Sequence, residues 1–463
     1  MIDCIRRKLE NRKVLLLGFG REGKSSYKLI RKVLPALPVA IADSNTNICK
    51  DPLVAGDPLV SFRVGEIYLN GLNEFDVIFK SPGITLKDLP EGTDLSRVTS
   101  QTDLFMEIFS SQVVGITGTK GKSTTSTLVH HLLRQAGKPS VLLGNIGRPA
   151  FEALEDITPE TTIVYELSSH QLEHVSYAPH IAVFLNLFPE HLDAYHSFRD
   201  YMLAKMNITR CQSEQDFLIY NRDDERVRSL INEFSLLRRY FPFSFSEEQK
   251  NGAYIKDGWI WFSKDGLAQP VINLQQKIHL KGDHNLKNIM AAISACKILD
   301  VSNDDISDGV ASFRGLEHRI EFAGIHRGIY FYNDSIATVP EACMEAVKAL
   351  GNVDTLILGG FDRGIDYSGL ASFLARSDVR NFILTGEAGK RIGKELLKCK
   401  REEQVLYPVA KFDDFLPIAI TQTHPGFTCL LSPAASSYDE FMNFEVRGKR
   451  FKELVGMTGN ENE

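Results

Sequence analysis

Apolar and polar positions follow one another along this chain in a repeated order. A short apolar run is followed by a glycine-containing turn, and the turn is followed by apolar residues at helical spacing. The turns that end such runs lie at 18–23, 117–123 and 359–360. Short apolar runs that alternate with helices are typical of parallel sheets covered by helices. The pattern predicts three α/β segments, with boundaries near residues 100 and 315.

Length and composition agree with a chain of several packed domains. The 463 residues are enough for about three domains of ordinary size. Hydrophobic residues make up 43% of the chain and charged residues 24%, which excludes disordered and fibrous proteins. We expect domains at 1–100, 101–315 and 316–463.

Charge and cysteine content narrow the classes of partner. The formal net charge of −6 excludes a general basic field for binding nucleic acid, so an anionic ligand must be held by local groups. No apolar run approaches the roughly 20 residues that span a bilayer, so we expect no membrane insertion. The seven cysteines lack CxxC or zinc spacing and are interpreted as free thiols of a cytoplasmic enzyme.

The strongest chemical signal is the segment Gly118-Thr119-Lys120-Gly121-Lys122-Ser123-Thr124, between a predicted strand and a predicted helix. Glycines there let backbone N–H groups turn toward phosphate oxygens, and Lys122 adds a positive charge. The hydroxyl of Ser123 is suited to a magnesium ion. The strict Walker A pattern asks for glycine at position 116, where this chain has Ile116. A phosphate-binding loop remains the better interpretation than an ordinary glycine-rich turn.

Three residues downstream are candidate metal ligands. Glu166 ends an apolar strand, where ligands of parallel sheets gather, although a solvated glutamate is equally compatible with the local sequence. His191 follows another apolar strand, and the upstream phosphate loop favours metal binding for it. Lys205 lies in an amphipathic run, where a surface lysine is the ordinary alternative.

A second glycine motif lies near the start of the chain. Gly18-Phe19-Gly20-Arg21-Glu22-Gly23 follows an apolar strand, and Asp43 lies about 20 residues farther on. This is the fingerprint of a dinucleotide site, with an acidic residue for a ribose. Alone it does not distinguish NAD from another diphosphate ligand.

Taken in order, these motifs resemble those of the Mur ligase family, in particular its glutamate-adding members. The resemblance covers nearly the whole chain and includes Gly144-Asn145-Ile146-Gly147, Gly282-Asp283-His284-Asn285-Leu286-Lys287-Asn288, Gly315-Leu316-Glu317-His318-Arg319, Asn333-Asp334-Ser335, Leu431-Ser432-Pro433-Ala434 and 441–448. It implies a three-domain Mur ligase architecture. The N-terminal domain would be Rossmann-like, the central domain P-loop ATPase-like and the C-terminal domain Rossmann-like.

The resemblance also implies an activity. Such a ligase consumes ATP with Mg²⁺ to join D-glutamate to UDP-N-acetylmuramoyl-L-alanine through an acyl phosphate, in peptidoglycan precursor synthesis. The N-terminal fingerprint would then hold UDP instead of NAD. We expect a monomer whose domains close to assemble the site.

The resemblance assigns roles residue by residue. The UDP-sugar would be bound by Gly18, Phe19, Gly20, Arg21, Asp43, Ser81, Pro82, Gly83 and Asn145. Metal ions would be held by Ser123, Glu166, His191 and a carbamylated Lys205, with Lys122, His191 and Lys205 catalytic. The nucleotide would contact 118–124, Asn285, Asn288, Arg319 and Asp334. The substrate contacts in the last domain would be His318, Thr338, Arg363, Ser437 and Phe444.

Two positions depart from the family pattern in the amino-acid site. Ile336 stands where the glutamate ligases usually have lysine, and Arg363 stands where a lysine is also usual. A guanidinium can bind a carboxylate through two hydrogen bonds, so an acidic amino acid remains the expected substrate. L-glutamate, or another amino acid, is the alternative within the same chemistry.

Three other functions compete with this hypothesis. Folylpolyglutamate synthetases share the GTxGK[ST] loop but resemble the chain only from the central domain onward. A non-catalytic homologue that binds UDP-sugar and ATP is a second alternative, and a nicotinamide dehydrogenase is a third.

Overall fold

The computed structural model describes residues 2–144, 148–190, 194–234, 238–276, 278–280 and 282–458. It divides into two compact units, 1–313 and 314–463. The first unit contains two β-sheets and the second contains one. The predicted α/β class is therefore confirmed, while the two boundaries between the three domains stay predictions.

The first sheet has five parallel strands in the order β3-β2-β1-β4-β5. Its strands are β1 (Val14–Leu17), β2 (Val39–Asp43), β3 (Val60–Val64), β4 (Val77–Lys80) and β5 (Val98–Thr99). The helices of this region are α1 (Ile2–Leu9), α2 (Arg21–Val33) and α3 (Gln101–Phe109). All four residues of β1 are buried, as expected for a central strand covered on both faces. The carboxyl ends of β1, β2 and β4 therefore meet at one edge.

The second sheet has nine strands in the order β14-β13-β12-β11-β10-β9-β6-β8-β7. They are β6 (Val113–Thr117), β7 (Ser140–Gly144), β8 (Thr162–Glu166), β9 (Ile181–Phe184), β10 (Phe217–Asn221), β11 (Arg239–Ser244), β12 (Gly252–Lys256), β13 (Trp259–Lys264) and β14 (Leu267–Asn273). The strands from β7 to β12 are parallel, and β13 and β14 add an antiparallel edge. Because β6 lies between β8 and β9, the ends of these three strands lie side by side.

Six helices accompany the second sheet: α4 (Lys122–Gln135), α5 (Ser169–Leu172), α6 (Phe198–Arg210), α7 (Glu225–Phe234), α8 (Asp283–Ile298) and α9 (Asn303–Ser312). Apolar residues of α4 and α8 share one buried core with β6 and β9. This packing places the first turns of both helices near the end of β6.

The second unit has a six-stranded sheet in the order β15-β16-β20-β17-β18-β19. Its strands are β15 (Glu321–His326), β16 (Ile329–Asn333), β17 (Val353–Gly359), β18 (Asn381–Thr385), β19 (Val405–Pro408) and β20 (Thr428–Leu431). Its helices are α10 (Pro340–Leu350), α11 (Ser368–Arg376), α12 (Gly386–Leu397), α13 (Phe415–Gln422) and α14 (Phe444–Thr458). Only β15 is antiparallel, so the loops after β16, β20 and β17 leave the same edge.

Two expectations about the whole chain can be compared with the structure. Among the described residues, no helix is both long and apolar enough to cross a bilayer. All seven cysteines are free thiols, as expected from their spacing.

Candidate functional site

The phosphate loop predicted from the sequence connects β6 to α4. Gly118 and Gly121 have φ angles of +155° and +86°, which side chains rarely allow. A Cβ atom on Gly118 would lie 2.9 Å from the Cβ of Leu185, and one on Gly121 would lie 2.4 Å from Oδ1 of Asn288. Both glycines are therefore required by the backbone conformation and by close neighbours.

Two lysines converge on the carbonyl groups of this loop. Nζ of Lys122 donates hydrogen bonds to the carbonyl oxygens of Gly118 and Thr119, each at 2.9 Å. Nζ of Lys205, on α6, also donates to the Gly118 oxygen at 2.9 Å. Lys205 is only 1% exposed, so the surface-lysine alternative is wrong. Burial and the neighbouring Lys122 hold the pKa of Lys205 well below its usual value, which favours the neutral amine.

Glu166 is the last residue of β8 and is fully buried beside the phosphate loop. The hydroxyl of Ser126, in the second turn of α4, lies 3.5 Å from its Oε2. The interpretation of Glu166 as a solvated glutamate is therefore wrong. Its negative charge also acts on Lys205, so Glu166, Lys122 and Lys205 share one polar site.

The described residues include only some of the candidate metal ligands. Within the described ranges, no three His, Cys, Asp or Glu side chains are grouped closely enough to hold an ion. His191 lies outside the described residues. Glu166 supplies a carboxylate and Ser123 a hydroxyl in the first turn of α4, and both are the hard oxygen donors that Mg²⁺ prefers.

The two asparagines predicted to contact the nucleotide lie in the first turns of α8. The close approach of Asn288 to Gly121 places this helix end against the phosphate loop. Nδ2 of Asn288 donates to Oδ1 of Asn285 at 3.3 Å. The structure therefore brings both predicted residues to the loop formed by 118–124.

The N-terminal glycine motif forms a second loop, at the carboxyl edge of the first sheet. A Cβ on Gly18 would lie 2.8 Å from the Cβ of Ser81, whose hydroxyl donates to the Gly18 oxygen at 2.8 Å. Oδ2 of Asp43 accepts the N–H of Phe19 at 2.7 Å. Residues 18–21 follow β1, residues 81–83 follow β4 and Asp43 ends β2, so these residues lie at the ends of three neighbouring strands. Asn145 lies outside the described residues.

Buried charges join this second loop to the central region of the same unit. Nε2 of Gln171, on α5, donates to Oε1 of Glu22 at 2.8 Å. Nζ of Lys80 donates to the Ile84 oxygen at 2.6 Å and lies 3.3 Å from Oε2 of Glu173. These contacts connect the first turn of α2 and the end of β4 to α5 and the residue that follows it.

In the second unit, Asp334 follows β16 and is buried. Its Oδ2 accepts the hydroxyl of Ser432 at 2.7 Å, and its Oδ1 accepts the N–H of Ile320 at 3.2 Å. Burial raises the pKa of Asp334 to about 7, opposed by these hydrogen bonds and by the charge of Arg319. Nδ1 of the buried His318 lies 2.9 Å from Nδ2 of Asn333. The predicted residues 318, 319 and 334 therefore lie together.

Most of the predicted amino-acid contacts lie in loops at the same edge of this sheet, and Phe444 begins α14. The guanidinium of Arg363 donates to the Thr338 oxygen at 2.8 Å, and the rings of His318 and Phe444 make an edge-to-face contact at 6.2 Å. Ser437 is buried in the loop after β20. Ile336, which replaces the usual lysine, is 36% exposed.

Known proteins resemble this chain over nearly its whole length. A sequence profile for the Mur ligase middle domain matches residues 116–296. The UDP-N-acetylmuramoylalanine--D-glutamate ligase of Thermoanaerobacter sp. (strain X514) is 33% identical over 452 residues, which cover 96% of this chain and 98% of that protein. The chain belongs to the Mur ligase family.

Further comparisons extend this assignment. A protein of the same name from Symbiobacterium thermophilum is 36% identical to this Mur ligase over 404 residues, or 86% of this chain and 87% of the relative. The crystal structure of the MurF ligase from Thermotoga maritima in complex with ADP matches with a TM-score of 0.51 at 18% identity, covering 97% of this chain and 96% of that one. The family resemblance and the three-domain fold predicted from the motifs are confirmed.

Two residues of this Mur ligase were missed by the sequence analysis. Asn186 lies beside the phosphate loop and hydrogen-bonds to Lys120 through its side chain. Arg447, on α14, is buried and donates to Ser335, through both its hydroxyl and carbonyl oxygens, and to the Ala435 oxygen. The local signal for Asn186 is a polar side chain among apolar neighbours, and Arg447 lies in the 441–448 motif among polar and apolar residues. Neither signal reveals the partners of the side chain.

Proposed function

We propose that this Mur ligase joins D-glutamate to UDP-N-acetylmuramoyl-L-alanine in peptidoglycan precursor synthesis, with hydrolysis of ATP to ADP and phosphate. The observation that carries the proposal is the convergence of Lys122, Glu166 and Lys205 on a phosphate loop, in a chain similar to D-glutamate ligases over 96% of its length. The free thiols and the proposed use of ATP fit a cytoplasmic enzyme.

The proposed reaction has an electrostatic obstacle. The muramoyl-alanine carboxylate must approach the γ-phosphate of ATP before an acyl phosphate can form. Two unit negative charges about 4 Å apart repel by about 4 kcal/mol at an effective dielectric constant of 20. This would slow the reaction by about a thousandfold. Lys122 would reduce the repulsion because its ammonium lies at the loop, where it donates to the carbonyls of Gly118 and Thr119.

The donor set around the loop fits magnesium. Ser123, Glu166, His191 and a carbamylated Lys205 would hold the ions, which when bound neutralise phosphate charge and orient the transferred group. Carbamylation requires an uncharged amine, and burial favours this form of Lys205 because it lowers the pKa of the amine. A carbamate would supply an anionic oxygen ligand at this buried position.

We assign the remaining ligands to the predicted loops within each unit. The loop after β1, with Asp43 and Ser81, would bind the UDP part of the sugar nucleotide. Asn285 and Asn288 would contact adenine, while Arg319 and Asp334 would contact phosphate and ribose. Arg363 would bind a carboxylate of the amino acid because it is the cation in the loop that follows β17.

A panel of amino acids tests this function directly. Phosphate release is measured with ATP, UDP-N-acetylmuramoyl-L-alanine and each of D-glutamate, L-glutamate, D-aspartate and L-lysine. We expect turnover with D-glutamate, its loss on removal of Mg²⁺ by EDTA, and reduced turnover in bicarbonate-free buffer that bicarbonate restores. Lys122→Ala, which removes the loop ammonium, should lower kcat by at least about 100-fold.

The panel also separates the alternatives. Turnover with L-glutamate alone would contradict the D-stereochemistry and favour the alternative suggested by Ile336 and Arg363. Turnover with none of the amino acids would favour a non-catalytic homologue that binds UDP-sugar and ATP.

A further inference from the structure

The segment that follows β9 lies along the phosphate loop and contacts three consecutive peptide groups. The Asn186 oxygen accepts the N–H of Thr119 at 3.0 Å. Oδ1 of Asn186 accepts the N–H of Lys120 at 2.8 Å, and its Nδ2 donates to the Lys120 oxygen at 2.9 Å. One residue therefore bonds both main-chain groups of Lys120 and the N–H before them.

These bonds determine which way the peptide groups of the loop face. In a trans peptide, the C=O of one residue and the N–H of the next point in opposite directions. Because the N–H groups of Thr119 and Lys120 point to Asn186, the carbonyls of Gly118 and Thr119 point away from it. Those carbonyls are the ones that accept Lys122, and the Gly118 carbonyl also accepts Lys205.

The third peptide group has the reverse polarity. Because the Lys120 carbonyl accepts Nδ2 of Asn186, the following N–H, that of Gly121, is directed away from Asn186. Gly121 directly precedes α4, and N–H groups at such a helix start bind phosphate oxygens. Asn186 thus turns two carbonyls toward the lysines and one N–H toward the place expected for an anion.

Additional contacts hold the same segment in register with the loop. Oγ1 of Thr119 accepts the N–H of Phe188 at 3.0 Å and lies 2.9 Å from the hydroxyl of Tyr201. The absence of a Cβ on Gly118 allows Leu185 to approach closely. The segment is therefore positioned independently of the Asn186 side chain, so a change of that side chain alters the loop peptides selectively.

We propose that Asn186 is a positioning residue for the nucleotide phosphates: its amide fixes the Lys120 peptides so that the Gly121 N–H faces the β-phosphate. The inference rests on the proposed use of ATP. It places in the nucleotide site a residue that contacts the loop backbone and not the reacting atoms.

Asn186→Asp provides the sharpest test because it changes one atom. The acceptor for the Lys120 N–H is retained, whereas the donor to the Lys120 oxygen becomes a carboxylate oxygen that repels it. With mant-ADP as the fluorescent probe, we expect the Kd of ADP to rise about 10- to 100-fold. Displacement by adenosine, which has no phosphate, should change less than about 3-fold. Asn186→Ala should also weaken the binding of ADP more than the binding of adenosine.

A matched control is available elsewhere in the first unit. Asn73 makes the same two-sided contact, since its Nδ2 donates to the Gly92 oxygen at 2.9 Å and its Oδ1 accepts the N–H of Asp94 at 2.8 Å. Asn73→Asp should leave the ADP Kd unchanged at a similar Tm. An unchanged ADP Kd in Asn186→Asp, or equal losses for ADP and adenosine, would overturn the positioning role.

The outcome is separable from that of the proposed function. If the wild-type chain releases phosphate in the amino-acid panel but Asn186→Asp binds ADP normally, only the positioning role is wrong. If the wild-type chain binds mant-ADP but has no ligase turnover, the proposed function is wrong, and the ADP-to-adenosine comparison still decides the role of Asn186.

Discussion

Lys205 and Glu166 could be identified from the sequence as candidate ligands, but the sequence did not predict whether their side chains are buried or exposed. The local sequence around each is equally typical of a surface position. Both side chains are buried beside the phosphate loop, because β8 ends there and Lys205 of α6 donates a hydrogen bond to the Gly118 carbonyl. Burial of a charged group depends on partners far along the chain, and a local pattern does not contain them.

Arg363 permits a prediction about the amino-acid substrate. Arg363→Ala should raise the KM for glutamate about 10-fold or more, because it removes the charge proposed to bind a carboxylate. The KM values for ATP and for the UDP-sugar should change much less. Initial rates measured with each substrate varied in turn test this, and Arg363→Lys should retain part of the affinity because it keeps the positive charge.

Arg401 provides the control for that measurement. Its guanidinium also donates to a backbone carbonyl, that of Ser377 at 2.7 Å, but it precedes β19 and so lies at the opposite edge of the sheet from the loop of Arg363. Arg401→Ala should leave all three KM values unchanged. A larger rise in the KM for ATP than in that for glutamate in Arg363→Ala would refute the assigned role.

Among the secondary-structure elements, the buried parallel strands were predicted well and the hairpin strands were not. The apolar run 14–17 is β1, and the run 113–116 is all but the last residue of β6. By contrast, β14 contains Pro270, and its first four residues are exposed, so no continuous apolar run marks this strand in the sequence. It is stabilised by antiparallel pairing with β13, which is a tertiary contact.

The helix α14 provides an element that holds three loops together. Arg447 donates to the Ser335 hydroxyl at 3.0 Å and to the carbonyls of Ser335 and Ala435 at 2.9 and 3.1 Å, and it lies 3.5 Å from the Gly359 oxygen. Ser335 follows β16, Ala435 follows β20, and Gly359 is the last residue of β17, where the third loop begins. Burial lowers the pKa of Arg447 to about 10, so the side chain remains charged at neutral pH.

We therefore predict that Arg447→Met destabilises the second unit. It should lower the free energy of unfolding by about 3 kcal/mol, because several buried acceptors lose a charged donor. Urea unfolding followed by far-ultraviolet circular dichroism measures this change in the free energy of unfolding. Arg450 lies one helical turn from Arg447 and forms an exposed ion pair with Asp413. Arg450→Met removes this pair and should lower the free energy of unfolding much less. Equal losses in the two variants would contradict the anchoring role of Arg447.

For the whole molecule, the order of motifs carried more information than any single motif. The N-terminal fingerprint alone left NAD and other diphosphates open, and only its combination with the downstream loops indicated a UDP-sugar ligase. The sequence did not indicate the contacts of Asn186 or Arg447, because each side chain binds backbone groups that folding brings to it. Patterns along a chain identify ligands to small molecules more readily than contacts between loops.

The ligand preference of the whole chain gives a further prediction. A ligand that binds only the native state stabilises it by about 2.7 kcal/mol at 100 times its Kd. UDP-N-acetylmuramoyl-L-alanine should therefore raise the Tm measured by differential scanning calorimetry, whereas tetrahydrofolate and NADH should not. Stabilisation by the folate alone would instead favour a folylpolyglutamate synthetase.

The buried contacts of Lys80 and Glu22 limit how this protein can be divided into interchangeable parts. Their partners, Glu173 and Gln171, lie more than 60 residues beyond the end of the first sheet. A fragment that stops near residue 100 would expose these charged groups to water and lose the contacts of the first turn of α2 and the end of β4. A chimera between two related ligases should therefore exchange the first hundred residues together with the segment around 171–173, because side-chain contacts join these two stretches.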